Sequence, residues 1–504
     1  MKNDLILPLS QVGKDHLSLV GGKNASLGEM ISHLSGKGIH VPDGFVLTAD
    51  SYWYFIDHNE LREPLSQLMK GVKESNLQQV SRVAKDLILD ADFPKKLEKL
   101  IEDTFIEFQI NHEGCQVAVR SSATAEDLPE ASFAGMQETY LNISNKEEFL
   151  QACKHCYASL FTARAIKYRQ EKGFEHMQVA LSIGVQQMIR SDLACSGVAF
   201  TLDPGTGFRE VVNISASWGL GENIVRGEVI PDEFYVFKEA LRKGKKSIIS
   251  RKKGSKEKMM VYAPRSTSHT FTSRTVNQDT PPEKRNQFTL TDKEVEKLAK
   301  WCLLIEEYYE VPMDIEWAKD GLDGELYIVQ ARPETVHAQR KEGITFKEFR
   351  LLEKGQIIAK GGGVGSKIVM GKARLLRSPS EIDKLAEGEI LVTQITSPDW
   401  DPILKKVAAI ITDKGGVTSH AAIIARETGA VAVVGTMNGT KVIRNGQWIT
   451  VVCDGSKEGR VYLGALKWEE KEIELPKLHF PETKVMLILA DPDQAFKWSF
   501  LPVN

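Results

Sequence analysis

This chain is poor in cysteine, nearly free of net charge and without a long apolar run, and each shortage closes off a class of protein. Six cysteines scattered over 504 residues cannot build the dense staples of a small secreted domain. Cys153 and Cys156 have the spacing of half a zinc site, but no second pair answers them, so packing on a helix is the expectation. Lys and Arg number 65 against 68 Asp and Glu, a net charge of −3, which gives no overall case for nucleic acid or a membrane surface as partner. No stretch approaches the roughly 20 apolar residues of a membrane span. The opening MKNDLILPLS has no basic segment followed by a long apolar one, so no secretory leader is read and a reducing, cytoplasmic location is expected. What remains is a chain of ordinary apolar content, 42%, long enough for roughly two to four domains.

Against that background one stretch stands out, AIITDKGGVTSHAAIIARETG from Ala409 to Gly429. An apolar run ends at Thr412-Asp413, a glycine pair follows, and a helical pattern runs from Thr418-Ser419-His420 to Gly429. The pattern predicts strand, tight turn and helix start, with Thr418 as N-cap and His420 in the first turn. Unpaired amides and the helix dipole there favour negative charge and oppose an imidazolium. A neutral imidazole is the nucleophilic form, and a phosphoryl group placed on it would meet those same amides. Ala421 and Ala422 are small enough to leave room beside the ring.

Earlier in the chain, Val20-Gly21-Gly22-Lys23 precedes a helical stripe of Leu27, Met30, Ile31 and Leu34, which predicts a helix from near Asn24 with Lys23 at its start. The string is not a Walker A motif, because Leu17 and Asn24 stand where Gly and Ser or Thr are required. Val117-Ala118-Val119 reads as a short buried strand ending at Arg120, before a loop of small and acidic residues that leads to a strand over Thr139–Ile143. An arginine facing such a loop can grip a triphosphate or pair with Glu126 or Asp127. Val185–Ile189 and Gly197–Thr201 read as a strand pair, and Val211–Ser215 and Asp232–Phe237 as further strands. The Lys/Arg-rich residues 238–258 lack interleaved aromatics and read as a solvated hairpin, and 263–288 as an exposed loop.

A hairpin is expected from Met313 to Trp317 and Leu326 to Arg332. Alternation puts Asp314 and Glu316 on one face, and Gln330 with Arg332 on one face of the partner strand. Carboxylates, an amide oxygen and a guanidinium together suit a hard cation bound to phosphates; a salt-bridged sheet face is the plainer alternative. Residues 341–358 read as a linker with a helical portion, Gly361-Gly362-Gly363 as a turn leading to a strand over Ile368–Leu376, 359–465 as a compact β-rich domain, and 466–483 as a second linker.

The string GGVTSHAAIIARETG closely resembles the phosphohistidine signature of the PEP-utilising enzymes. VGGKNASLGEM, VAVRSSATAEDLPEASFAGMQETYLNI, WGLGENIVRGEVIPDEFYVFK and PMDIEWAKDG…LYIVQARPETV resemble the phosphoenolpyruvate synthases of that family, in the family's order. The resemblance implies an α/β and α+β multidomain chain. Residues 1–340 would form an ATP-grasp-like nucleotide-binding domain, and 359–465 a swivelling phosphohistidine domain. It implies that Lys23 and Arg120 bind nucleotide phosphates and that Gly135, Gln137 and Thr139 line the phosphate loop. Gln187 and Met188 would contact adenine, Asp314 and Arg332 would serve the nucleotide site, and Glu316 and Gln330 would hold Mg2+. His420, with Thr418 beside it, would accept phosphate from ATP and pass it to pyruvate, giving phosphoenolpyruvate, AMP and phosphate. Pyruvate phosphate dikinase, a related phosphotransferase and an inert phosphocarrier are the alternatives. Residues 484–504 look like the first strand and helix of the family's substrate barrel. The sequence therefore predicts a chain that lacks most of that barrel and performs the ATP half-reaction alone, with a homodimer left open as its assembly.

Overall fold

The computed structural model describes residues 5–124, 138–263, 275–334, 345–404, 406–454, 457–474 and 496. The chain divides into two compact units. The first comprises 1–194, 261–277 and 315–332; the second comprises 195–260, 278–314 and 333–504.

The first unit is built on a five-stranded antiparallel sheet in the order Ile6–Pro8, Gly44–Leu47, Leu181–Gln187, Val117–Ala123, Thr139–Ile143. Leu181 to Gln186 are all buried, as expected of a strand covered on both faces. Phe45, Tyr52, Phe55, Phe105, Phe149 and Tyr157 belong to the core of this unit, with Phe105 and Phe149 stacked at 4.6 Å between ring centroids. The helix Lys146–Ser159 carries Cys153 and Cys156 into that core. Burial pushes both thiols well above their usual range, which suits packing rather than metal binding.

Three expectations change here. Arg120 lies inside the strand Val117–Ala123 rather than at its end. The lysine-bearing helix runs from Leu17 to Leu34 and is broken at Gly21 (φ 70°, ψ 165°), so its regular part resumes at Gly22 and not at Asn24. Only a glycine fits that break, because a Cβ there would stand 2.3 Å from Ser122 Oγ. Leu181–Gln187 pairs with Gly44–Leu47 and Val117–Ala123, while Cys195–Phe200 pairs with Val211–Trp218. The expected pairing of 185–189 with 197–201 is therefore not made.

In the second unit an antiparallel run joins Cys195–Phe200, Val211–Trp218, Asp232–Phe237 and Ile248–Lys252. The helix Asp292–Tyr309 begins with a complete capping box of Thr291 and Glu294. The basic run is not wholly solvated: Lys238 is buried against Glu306, and Lys256 against Asp232.

The same unit contains a closed seven-stranded barrel in the order Ile357–Val364, Val431–Val434, Ala409–Thr412, Ile390–Thr393, Ser366–Leu375, Trp448–Asp454, Glu458–Leu463. Ile390–Thr393, Ala409–Thr412 and Val431–Val434 are parallel. Parallel neighbours need crossovers, and the helix His420–Thr428 is the one between the last two. Gly361 to Gly363 lie within the first barrel strand rather than in a turn. A Cβ on Gly361 would stand 2.4 Å from Val434 O, and one on Gly363 2.8 Å from Gly459 N, so these glycines admit close strand approach.

The segments expected as linkers pair with each other. Thr345–Leu351 runs antiparallel to Trp468–Glu474, from Thr345 opposite Glu474 to Leu351 opposite Trp468. A strand thus replaces the expected helical portion of residues 341–358. Residues 484–504, expected to open a further barrel, lie outside the described residues except for Phe496.

Candidate active site

In the first unit, the broken helix is pinned to the sheet by Asn24, which is buried and donates to Val20 O and Ser182 Oγ, each at 3.0 Å. Ser26 Oγ donates to Ala331 O at 2.7 Å, fixing the same helix to the strand Leu326–Pro333. The helix, Val117–Ala123 and that strand border a small cleft lined by Lys23, Asn24, Arg120, Ser121, Gln186 and Gln330, among others.

Arg120 is the centre of this cleft. Its Nη1 is 3.4 Å from Gln330 Oε1 and 3.7 Å from Glu316 Oε2. Its Nε is buried without a hydrogen-bond partner among the described residues, an unsatisfied donor of the kind an anion would complete. Thr139 stands directly opposite Arg120 in strand register. Glu316 and Gln330 therefore present a carboxylate and an amide oxygen to one point. That is too few donors for an all-protein metal cage, and no group of three or more His, Cys, Asp or Glu that could hold a metal occurs among the described residues. Two oxygens do fit Mg2+, which keeps several waters and shares substrate phosphates.

Other expected residues are placed less centrally. Lys23 is half-buried and lines the cleft. Asp314 and Arg332 are half-buried on their strands. Gln187 and Met188 have their amides engaged, by Asp43 O and Gln116 O respectively, each at 2.9 Å, so a base there would have to meet carbonyls or side chains. Gly135 and Gln137 lie outside the described residues.

In the second unit, His420 is the first residue of the helix His420–Thr428. The segment following the strand Ile390–Thr393 brings two oxygens to its ring: Nε2 is 2.9 Å from Asp401 Oδ1, and Nδ1 is 3.4 Å from Thr396 Oγ1. The His420 and Asp401 side chains are only 11% and 16% exposed. Trp400, Ile403, Ala421, Ala422 and Ala425 share one apolar cluster, which seats the Asp401 turn against the His420 helix. The alanines thus allow close packing of the helix rather than clearing space for the ring.

The N-cap is Ser419, not Thr418: Ser419 has the extended backbone of a cap (φ −72°, ψ 164°). Thr418 is buried. Ser419 Oγ is also buried and has no hydrogen-bond partner among the described residues, leaving an acceptor or donor beside His420. Upstream, Asp413 ties the turn together, accepting from Thr440 N at 3.0 Å and Thr436 Oγ1 at 3.2 Å. Arg426 reaches back from the helix to donate to Val417 O at 2.5 Å, and burial lowers its pKa to about 10.

Asp401 and Thr396 were not singled out from the sequence. A signal was present, since Thr396-Ser397-Pro398-Asp399-Trp400-Asp401 is turn and helix-start chemistry directly after an apolar strand.

Residues 17–352 match the family model for the pyruvate phosphate dikinase AMP/ATP-binding domain, and residues 385–456 that for the PEP-utilising enzyme mobile domain. The chain is 48% identical to the phosphoenolpyruvate synthase of Aquifex aeolicus, over 99% of this chain and 59% of that protein. It is 44% identical to the phosphoenolpyruvate synthase of Escherichia coli K12, over 99% of this chain and 62% of that protein. The chain thus spans about 60% of the length of the curated relatives it matches. That share measures overlap and gives no support to the expectation of a missing barrel. No helix among the described residues is long and apolar enough to cross a membrane.

Proposed function

The chain belongs to the pyruvate phosphate dikinase AMP/ATP-binding family, and from that premise we propose that it takes a phosphoryl group from ATP onto His420. The observation that carries the reading is the placement of His420: a ring at the first position of a crossover helix, at the C-terminal ends of parallel strands, with a partner at each nitrogen. Such strand ends are where open α/β proteins place their ligands. Asp401 and Thr396 hold the ring's orientation, and Asp401 would offset positive charge on the imidazole once one nitrogen carries phosphorus. The first-turn amides, without intrahelical partners, would meet the phosphoryl oxygens.

Residues 1–340 would serve the nucleotide. Lys23 and Arg120 bind its phosphates, Thr139 flanks Arg120, and Gln187, Met188, Asp314 and Arg332 complete the site. Glu316 and Gln330 would hold Mg2+, which when bound offsets negative charge on the phosphates undergoing transfer. Arg120 contacts both of those residues, so its guanidinium would turn from them to the nucleotide when the cation arrives.

The names of the relatives support phosphoenolpyruvate synthesis; pyruvate as the final acceptor, AMP and phosphate as the other products and a cytoplasmic location belong to the reading proposed here. Incubation with ATP and magnesium should give one acid-labile phosphoryl group on the protein and release AMP with one equivalent of inorganic phosphate, the second phosphoryl going to water, and a chain that binds ATP without labelling would overturn the reading. A dikinase would instead consume phosphate and release pyrophosphate, which the stoichiometry of products distinguishes.

A further inference from the structure

One buried ion pair has no part in the chemistry above. Lys256 and Asp232 are both wholly buried, with the ammonium on Asp232 Oδ1. Asp232 also accepts from Gly254 N at 2.9 Å, Thr289 N at 2.8 Å and Thr289 Oγ1 at 3.0 Å. The ammonium donates in addition to Gly254 O at 2.9 Å. Burying two charges is a weak way to gain stability, because apolar replacements of similar volume are often no worse. Position is the better account of what this pair supplies.

The pair clamps one short segment. Lys256 N donates to Ile230 O at 3.1 Å. Gly254 lies so close that a Cβ on it would stand 2.1 Å from Ile230 O and 2.2 Å from Pro231 O. That segment also meets the loop leading to His420. A Cβ on Gly416 would be 3.2 Å from Pro231 Cδ, and one on Gly435 3.7 Å from Ile230 Cδ1. Gly227 is in the left-handed region at φ +68°, and a Cβ there would lie 2.8 Å from Ser419 Cβ. Gly415, at φ +96°, would put a Cβ 3.3 Å from Gly227 O. Glycine backbone therefore rests on the Gly227 backbone and on the Ile230 and Pro231 side chains, directly beside the residue that caps the His420 helix.

We propose that Lys256 and Asp232 are positioning residues for phosphoryl transfer, holding Gly227–Pro231 as the ledge on which the Gly415–Ser419 loop sits. Neither touches a reacting atom. They act through Ile230 and Pro231, fixing the height at which Ser419 and His420 are presented. The inference rests on the reading of His420 as phosphoryl acceptor.

The test uses the full chain carrying Lys256→Met with Asp232→Asn, which removes both charges together and leaves no lone buried ion. It reads amide hydrogen exchange over 227–231 and 413–419, ATP affinity by titration, and the labelling rate at saturating ATP. Exchange should accelerate in both segments together, ATP affinity should stay within about twofold, and labelling per folded molecule should slow by about tenfold or more. Asp232→Asn alone keeps an oxygen acceptor for Lys256 and should show a smaller change in the same direction. It decides the matter if the double variant does not fold. Gly227→Val should accelerate exchange at 413–419 and slow labelling with the ion pair intact. Unchanged exchange at 413–419, or wild-type labelling per folded molecule in these variants, would overturn the proposal. Wild-type protein that never labels, while the variants still change exchange as expected, would sink the phosphoryl-acceptor reading and leave the ledge standing.

Discussion

The cleft around Arg120 and the loop around His420 are built from different materials. In the cleft, long charged and polar side chains converge from separate strands, and Arg120 lies against Glu316 and Gln330. At His420, the chain itself is the scaffold. Gly415 adopts φ +96°, Ser419 caps a helix, alanines bring that helix onto the barrel, and Asp401 and Thr396 reach the ring. The first arrangement can rearrange when charge arrives, since side chains change rotamer cheaply. The second keeps its geometry, because its backbone conformations are open only to particular residues. A nucleotide site assembled by rearrangement and an acceptor loop that keeps its local geometry both suit a stepwise transfer through a protein nucleophile.

That contrast can be broken most directly at His420. His420→Ala should remove acid-labile labelling altogether, by about a thousandfold or more, while ATP titration stays at the wild-type affinity. Loss of ATP binding in that variant would mean that the two regions are not separate in function. Next in size is Glu316→Ala. It should cost about a hundredfold in labelling at every magnesium concentration, and should weaken nucleotide binding only when magnesium is present. A wild-type metal dependence would place the ion elsewhere.

Asp401→Asn sharpens the comparison from the other side. Losing a charge partner worth about 1.4 kcal/mol corresponds to about tenfold in labelling rate. The expected signature is a slower rate with unchanged ATP affinity, the opposite of an Arg120 variant. Gly415→Ala should cost about 1–2 kcal/mol in stability, because a side chain at positive φ is strained, and thermal unfolding of the second unit would report it.

The smallest effect is in the first unit. Arg169 Nε donates to His176 Nδ1 at 3.0 Å. Burial, reinforced by the Arg169 charge, lowers the His176 pKa from 6.5 to about 4. The unfolded chain therefore binds a proton that the folded chain refuses between those values, and stability falls as pH drops from about 6.5 towards about 4. With the ring only half-buried the loss should be about 1 kcal/mol. Denaturant titrations of wild type and His176→Gln across that range would check the slope.

The sequence and the structure agree best where the determinants are local. The strands Thr139–Ile143 and Asp232–Phe237 fall at the expected residues, because alternation and turn residues bound them. The His420 helix ends at Gly429, which takes the left-handed conformation a glycine allows. What the sequence hid depends on distant partners. Thr345–Leu351 becomes a strand only because Trp468–Glu474 pairs with it, more than a hundred residues later in the chain. Lys256 looked like one more solvated lysine until Asp232 and Gly254 enclosed it. Asp401 became part of the site through a barrel that sets two loop starts side by side. The N-cap moved from Thr418 to Ser419 because both residue types suit a cap and only the backbone decides between them.

The central claim is that His420 accepts phosphate while the first unit holds the nucleotide. Intact mass of the purified chain after incubation with ATP and magnesium, followed by mild acid and peptide mapping, tests it most directly. The account predicts a gain of one phosphoryl mass, located on His420 and lost in acid, with AMP and inorganic phosphate released in parallel. No added mass on a chain that titrates with ATP, or an acid-stable phosphate on another residue, would contradict it.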